Sequence, residues 1–186
     1  MFTRILQEKF YKQYPFPTKE GAEVLCKLNE KFTSHYFSYY FYGECPDTSF
    51  YDTKRALPNV GEGNCLFLSV AALIQDKLEI DHSELRRQTA EFMEKNLEPL
   101  SIVFNQKEEE LEKHVNEIAM DGKYGSSEAI YALACFLNCT IKIYLEDDER
   151  AIVFYPNNNY RRVLDVKRTT IHLVYSQTKQ HYQALQ

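Results

Sequence analysis

Residues 58–75 read PNVGEGNCLFLSVAALIQ, a glycine-containing loop that leads directly into an apolar segment. Pro58, Gly61 and Gly63 lie within seven residues, and this spacing of loop-forming residues strongly predicts an irregular connection. From Cys65 onward, apolar residues would occupy nearly every side of a helix, and such a helix belongs in the middle of a domain. We therefore expect the rest of the chain to pack around a buried helix that begins at Cys65.

Three further helices and then a sheet are predicted after this helix. Asp81 and Glu84 resemble a capping box that opens a helix ending near Lys95. From residue 140 the apolar period changes from helical to two, which indicates strands. The other predicted helices are 107–120 and 126–137, and the predicted strands are 141–145, 151–155, 161–166 and 169–175. This order predicts an α+β domain, with a small, mostly antiparallel sheet packed between helices.

Residues 1–56 differ from the rest and are interpreted as a helical, aromatic-rich extension packed on a domain at 57–186. A helix is predicted at 21–37, and the run HYFSYYFYG occupies 35–43. Aromatic residues at this density form either part of the core or a partner-binding surface, and both interpretations stay open.

Length and charge limit the possible partners. A chain of 186 residues is long enough for one domain with a core and short for two. The net charge of -5 argues against a nucleic-acid partner, which would require a basic face. No run approaches the roughly 20 apolar residues of a membrane span. The start, MFTRILQEKF, lacks the apolar core of a secretory signal. We expect a cytoplasmic monomer with no membrane or nucleic-acid partner.

The five cysteines point to reduced thiols, because an odd number without a secretory signal is typical of a cytosolic protein. Cys135 and Cys139 are spaced like half of a zinc site. No second Cys/His pair at ligand spacing accompanies them, and the flanking sequence ALACFLNCTI is apolar. We interpret both as buried structural thiols and expect no metal.

Cys65 is a candidate nucleophile because of its place at the start of a helix. Helix N-termini present unpaired N–H groups and the positive end of the helix dipole, which favour a thiolate and can receive an oxyanion. Gly61 and Gly63 would let the backbone approach a substrate carbonyl. The alternative is a small buried cysteine without a chemical role.

A nucleophilic thiolate needs a base, and His181 differs from the other four histidines. It follows the predicted strand IHLVY and the polar loop SQTKQ, and it precedes the tail YQALQ. A histidine on a turn at the end of a strand can face a helix N-terminus that packs on the same sheet. The other histidines are interpreted as structural or surface residues: His35, His82, His114 and His172.

Four blocks of the sequence resemble the ovarian-tumour (OTU) family of deubiquitinating cysteine proteases. GEGNCLFLSV at 61–70 is similar to the family signature DGNCLF, and HSELRRQTAEFMEKN at 82–96 to the helix that follows it. KYGSSEAIYALACFLNCTIKIY at 123–144 resembles the family's glycine-containing turn, helix and strand. IHLVYSQTKQHYQAL at 171–185 resembles the element with the catalytic histidine. The blocks occur in family order, and residues 1–56 lie outside the resemblance.

The resemblance implies a papain-like OTU-type fold and a site. Cys65 would be the nucleophile and His181 the general base and acid. The backbone from Glu62 to Cys65 would line the oxyanion hole. Substrate-binding positions would be Gly63, Asn64, Tyr124 and Tyr182, with Tyr182 beside a narrow channel for the Gly-Gly end of ubiquitin. The implied reaction is hydrolysis of the isopeptide bond after the terminal glycine of ubiquitin or polyubiquitin through a thioester, without metal or cofactor.

Two positions depart from the family pattern. Glu62 stands where the family usually has Asp, and Gln183 stands where the family's third catalytic residue is commonly Asp or Asn. Gln183 could still accept a hydrogen bond from His181 and orient it, or a carboxylate from the N-terminal segment could do so. These departures keep two alternatives open. One is a weakly active or inactive OTU-fold module that binds ubiquitin or a partner protein, and the other is a hydrolase for another modifier that ends in glycine. Action in its own cell and delivery into a host cell both remain open.

Overall fold

The strands predicted after residue 140 lie at the centre of a six-stranded sheet. The computed structural model describes residues 42–45 (backbone only), 54–146, 151–157, 160, 164, 166 and 170–186. The strands are β1 Tyr42–Cys45, β2 Ala56–Leu57, β3 Thr140–Leu145, β4 Ala151–Phe154, β5 Thr170–Ser176 and β6 His181–Leu185. Their order across the sheet is β1-β4-β3-β5-β6-β2.

The sheet is mixed but mostly antiparallel, as predicted. β3 and β5 run parallel, with Thr140 opposite Thr170, and the other neighbouring pairs are antiparallel. The predicted hairpin is confirmed, because β3 and β4 pair with Ile141 opposite Phe154. The predicted strand at 161–166 lies almost entirely outside the described residues.

β6 is an element that the sequence did not reveal. The short C-terminal segment was expected to be a tail after a turn, but His181–Leu185 pairs with β5, with Ser176 opposite His181. A turn at 177–180, ending with Gln180 at φ 49°, reverses the chain between the two strands. His181 therefore does not lie on the turn itself but is the first residue of a strand, and the sheet ladder holds its backbone.

Five helices are described: α1 Cys65–Ile74, α2 His82–Lys95, α3 Leu97–Phe104, α4 Glu108–Ala119 and α5 Ser127–Phe136. Four of them match the predicted helices closely. Asp81 caps α2 as expected, since its side chain accepts a hydrogen bond from the Glu84 N–H at 2.8 Å. α3 was not predicted. Its separation from α2 depends on the buried Asn96, whose side-chain amide donates to the Phe92 carbonyl at the end of α2.

The helix that begins at Cys65 is buried, as the sequence predicts. Leu66, Phe67 and Ile74 have no exposed surface. They belong to one core with apolar residues of α2 and α5 and with Ile141 and Leu173 of the central strands. No helix in the described part of the chain is long and apolar enough to span a membrane. The α+β arrangement, with α1 packed on the sheet, is confirmed.

Residues 42–57 contribute both edges of the sheet. β1 pairs with β4, with Tyr42 opposite Phe154, and β2 pairs with β6, with Ala56 opposite Leu185. The segment assigned to an N-terminal extension therefore shares a sheet with the C-terminal half of the chain. The predicted helix at 21–37 lies outside the described residues, as does the aromatic run at 35–43 apart from the backbone of its last two residues.

The loop before α1 is a left-handed turn. The Asn64 N–H donates to the Gly61 carbonyl at 2.9 Å, which closes a four-residue turn. Its two central residues both have positive φ, 51° at Glu62 and 78° at Gly63, as in a type I′ turn. Glycine adopts this conformation freely, and Asn or Asp does so more readily than Glu. Glu62 is therefore held in a backbone conformation that its side chain does not favour.

Gly63 is also required by a close backbone contact. A Cβ atom at Gly63 would lie 1.8 Å from the Gly122 carbonyl oxygen, a distance that excludes any side chain. The turn at 61–64 thus packs directly against the loop between α4 and α5.

Glu62→Asp is expected to increase the free energy of unfolding by about 0.5–1 kcal/mol, because Asp keeps the charge and tolerates a positive φ better. Urea denaturation of the variant and the parent measures the difference. Glu79→Asp is the matched control, since Glu79 is an exposed loop residue for which no positive φ is recorded. A destabilised Glu62→Asp variant would contradict the turn assignment.

Candidate active site

Cys65 is the first residue of α1 and lies directly after the left-handed turn. Only 2% of its surface is exposed, because α1 is buried against the sheet. The glycine-containing turn is the part of the backbone next to the thiol.

The start of α1 keeps its backbone donors available. The first helical hydrogen bond runs from the Leu68 N–H to the Asn64 carbonyl, so Cys65 and the two residues after it precede the helical ladder. The Asn64 side chain does not cap this end. Its oxygen accepts instead from the Gly122 N–H at 3.1 Å and from Arg86 at 2.8 Å. Within the described residues, the Cys65 N–H has no hydrogen-bond partner. It is therefore a free donor at the start of α1, and its role in an oxyanion hole stays a prediction.

The structure brings His181 against the loop that precedes Cys65. A Cβ atom at Gly61 would lie 3.3 Å from both the Cε1 and the Nδ1 atoms of the His181 ring. Glycine is thus the residue that lets the imidazole approach the turn without a side chain between them. The His181 ring therefore lies beside the turn that leads into Cys65, and the catalytic roles of both residues stay predictions.

Asn59 ties the parts of this site together and was not singled out from the sequence. Its side-chain oxygen accepts from the Gly61 N–H at 3.1 Å. Its side-chain nitrogen donates to the Tyr182 carbonyl at 2.9 Å and to the Ser69 hydroxyl at 3.0 Å. Ser69 also donates to the Tyr182 carbonyl at 3.2 Å. One amide therefore connects the turn, α1 and the strand that carries His181.

Gln183 is placed where an orienting residue could lie but does not bond to the histidine. His181 and Gln183 alternate with buried residues of β6, so both point to the same face of the strand and both are half-buried. Within the described part of the chain, no hydrogen bond joins the His181 ring to Gln183 or to any other side chain. The orienting role of Gln183 stays a prediction.

Arg86 is a second residue that the sequence analysis missed. Its guanidinium lies under the turn and donates to the Gly63 carbonyl at 2.8 Å and to the Asn64 side chain at 2.8 Å. The sequence did contain a signal for it, because Arg86 shares the buried face of α2 with Ala90 and Met93. An arginine therefore stands on an apolar stripe of this helix.

Three tyrosine rings pack together beside the site. Tyr182 lies between Tyr124, with ring centroids 5.7 Å apart, and Tyr175, at 4.6 Å. Burial raises the pKa of Tyr182 to about 12, and burial also raises the pKa of Tyr124, so both are neutral phenols near pH 7. Tyr124 is 40% exposed and Tyr182 only 7%. A substrate would therefore meet Tyr124 first, and the main contact of Tyr182 is with its neighbours.

The remaining described cysteines are buried thiols, as predicted. Cys135 and Cys139 are each 1% exposed and form no disulfide. Burial raises the pKa of Cys135 to about 12, which leaves it protonated and unreactive. Among the residues that the structure describes, no group of three or more His, Cys, Asp or Glu side chains could hold a metal ion.

Solved structures share this fold. The OTU of Hazara virus bound to ubiquitin superimposes with a TM-score of 0.57 at 22% identity, over 78% of this chain and 89% of that one. The OTU domain protease from Taggert virus gives a TM-score of 0.58 at 19% identity, over 78% and 86%. The OTU domain of OTUD1 gives 0.55 at 22% identity, over 73% and 87%. At these identities the likeness shows the fold alone.

Sequence comparison identifies the family. No curated protein gives a significant match. The family model described as "OTU-like cysteine protease" matches residues 60–182, about two thirds of the chain. The match begins just before the left-handed turn and ends just after His181, so it covers the turn, Cys65, Arg86 and His181 but not Asn59 or Gln183. The chain belongs to the family of OTU-like cysteine proteases.

Proposed function

We propose that the chain is a deubiquitinase that hydrolyses the isopeptide bond after the C-terminal glycine of ubiquitin through an acyl-enzyme thioester. The observation that carries this proposal is the contact between the His181 ring and Gly61, in the turn that leads into Cys65. This turn joins a thiol at a helix start, an unpaired backbone donor and an imidazole in one place, which is the set of groups that thiol hydrolysis needs.

In the proposed reaction, His181 takes the proton of Cys65, and the thiolate attacks the carbonyl carbon of the terminal glycine. The carbonyl oxygen becomes an oxyanion, which accepts hydrogen bonds from the Cys65 N–H and neighbouring donors. His181 then gives its proton to the lysine nitrogen as the C–N bond breaks, which leaves a thioester. His181 next takes a proton from water, the resulting hydroxide attacks the thioester, and the C–S bond breaks to release a carboxylate.

The burial of Cys65 supports a substrate with a narrow chain end. The thiol is 2% exposed, so side chains next to the scissile carbonyl would be hard to admit. The two glycines at the end of ubiquitin are the slimmest residues available. One structural neighbour is described as bound to ubiquitin, which supports ubiquitin or its chains as the partner. We propose that the chain acts as a monomer in the cytoplasm, either of its own cell or of a host.

A second candidate is a ubiquitin-binding module of the same fold with little or no hydrolytic activity. The observation that favours it is the His181 ring, which has no orienting hydrogen bond among the described residues. An imidazole without an orienter loses its fixed tautomer and alignment, and catalysis falls accordingly. Ubiquitin binding without turnover in the unmodified protein would support this candidate.

Cys65→Ala and His181→Ala are each expected to abolish hydrolysis of a fluorogenic ubiquitin C-terminal amide. The first variant loses the nucleophile and the second loses the proton acceptor, so the rate should fall by about a thousandfold or more. Circular dichroism checks that both variants remain folded.

Cys139→Ala is the matched control, because Cys139 is a buried thiol outside the site. Its rate should equal that of the parent. A His181→Ala variant with near-parent turnover would remove His181 from the mechanism.

Gln183→Ala is expected to reduce kcat about tenfold, which corresponds to about 1.4 kcal/mol, if its amide orients His181 once substrate is bound. The same fluorogenic assay measures this effect. Gln186→Ala is the control, since Gln186 is an exposed residue just after β6. Equal kcat values for Gln183→Ala and the parent would mean that another group orients the histidine.

A further inference from the structure

Arg86 is a buried cation without a carboxylate partner. It is 1% exposed, and no salt bridge in the described part of the chain includes it. Its Nε atom is buried and has no hydrogen-bond partner among the residues that the structure describes. The guanidinium carbon stacks over the Phe67 ring at 4.3 Å to the centroid. A buried charge and an unpaired donor both oppose folding, and residues that break such rules concentrate at functional sites.

The hydrogen bonds of Arg86 connect two separate segments. Nη2 donates to the carbonyls of Gly63 and Lys123 and to the Asn64 side chain, and Nη1 donates to the Ile118 carbonyl at 2.7 Å. Gly63 and Asn64 belong to the turn before Cys65, while Ile118 lies in the last turn of α4 and Lys123 in the loop between α4 and α5. The acceptors at Gly63, Ile118 and Lys123 are backbone carbonyl oxygens, which a substitution at those positions would not remove. Only the acceptor at Asn64 belongs to a side chain.

The same two segments also contact each other directly, without Arg86 between them. The Gly122 N–H donates to the Asn64 side chain, and Gly63 packs against the Gly122 carbonyl. Without Arg86, several of these carbonyl oxygens would face one another in the interior with no donor between them. Arg86 therefore supplies donors to oxygens on both sides of the contact between the turn and the 118–123 segment.

We propose that Arg86 is a positioning residue that holds the turn before Cys65, which would stabilise the oxyanion, in place against the segment 118–123. The proposal rests on the function proposed above. Arg86 acts through the backbone it fixes and does not touch the substrate. Its contribution belongs to the transition state, because an oxyanion donor strengthens only as the carbonyl oxygen gains charge.

The surroundings of Arg86 act on its pKa in opposite directions. Burial lowers its pKa, whereas the nearby Asp121 and Cys65 oppose this change by favouring the charged guanidinium. A planar guanidinium can reach several fixed carbonyls at once, and a lysine ammonium on a flexible chain cannot. Arg86→Lys therefore keeps the positive charge but removes the planar set of donors that reaches several carbonyls at once.

The test compares Arg86→Lys with Arg87→Lys. Arg87 is the next residue of α2, but it is exposed and pairs with Glu84 and Glu91 on the surface. With the fluorogenic ubiquitin substrate, Arg86→Lys should lower kcat about tenfold to a hundredfold and change KM by less than about threefold. Arg87→Lys should leave both constants at the parent values. A folded Arg86→Lys variant with parent kcat, or a change confined to KM, would overturn the proposal.

Amide hydrogen exchange gives a readout that does not depend on activity. In Arg86→Lys, the N–H groups of Asn64 and Gly122 should exchange at least tenfold faster, while those in the core of α5 stay protected. If the parent does not hydrolyse ubiquitin, the proposed function fails, and this exchange pattern still decides whether Arg86 holds the turn. Unchanged exchange at both amides would overturn the positioning role by itself.

Asn64→Ala keeps the experiment decisive if Arg86→Lys does not fold. This variant removes one acceptor of Arg86 and leaves the other three in place. It should lower kcat in the same manner but by a smaller factor, and it should speed exchange at Gly122. A folded Asn64→Ala variant with parent kcat and parent exchange at Gly122 would contradict the proposal.

Discussion

The left-handed turn at 61–64 is the constraint on which the site depends. Three successive residues, Gly61, Glu62 and Gly63, have positive φ, a conformation that side chains oppose. Each glycine serves a second purpose, since Gly61 lies against the His181 ring and Gly63 against the Gly122 backbone. The absence of side chains at Gly61 and Gly63 thus lets the His181 imidazole and the loop between α4 and α5 lie against the turn that leads into Cys65. On one side the Asn59 side-chain oxygen accepts a hydrogen bond from the Gly61 N–H, and on the other Arg86 donates to the Gly63 carbonyl.

The same turn shows what Glu62, the departure from the family pattern, does in this chain. The turn needs positive φ at its first central position, and Asp or Asn meets that need more easily than Glu. The charge of Glu62 is exposed and takes part in no recorded hydrogen bond or salt bridge with the described residues. The backbone of Glu62 rather than its side chain is therefore the part that the site uses, and the substitution affects turn stability more than chemistry.

Much of the fold followed from local sequence patterns. The apolar segment after Cys65, the cap at Asp81 and the alternation after residue 140 each have a local physical cause, and four of the five described helices and the hairpin lie where expected. β6 was missed because a strand of five residues takes its stability from pairing with β5, which no short window of sequence shows. The hydrogen bonds of Asn59 and Arg86 were missed for the same reason, since they include carbonyl oxygens of distant segments, such as Tyr182 for Asn59 and Lys123 for Arg86. Cys65 and His181 were predicted from their chemistry and a resemblance, and the structure adds the turn between them.

The central claim is that the terminal glycine of ubiquitin lies beside the turn and reacts with Cys65. Ubiquitin with a thiol-reactive group in place of its C-terminal carboxylate tests this claim most directly, with mass spectrometry of the product after proteolysis. The account predicts a single covalent adduct of the intact protein, with the modification on the peptide that contains Cys65 and none on the peptide that contains Cys135 and Cys139. Failure to form the adduct, or an adduct at another cysteine, would contradict the account.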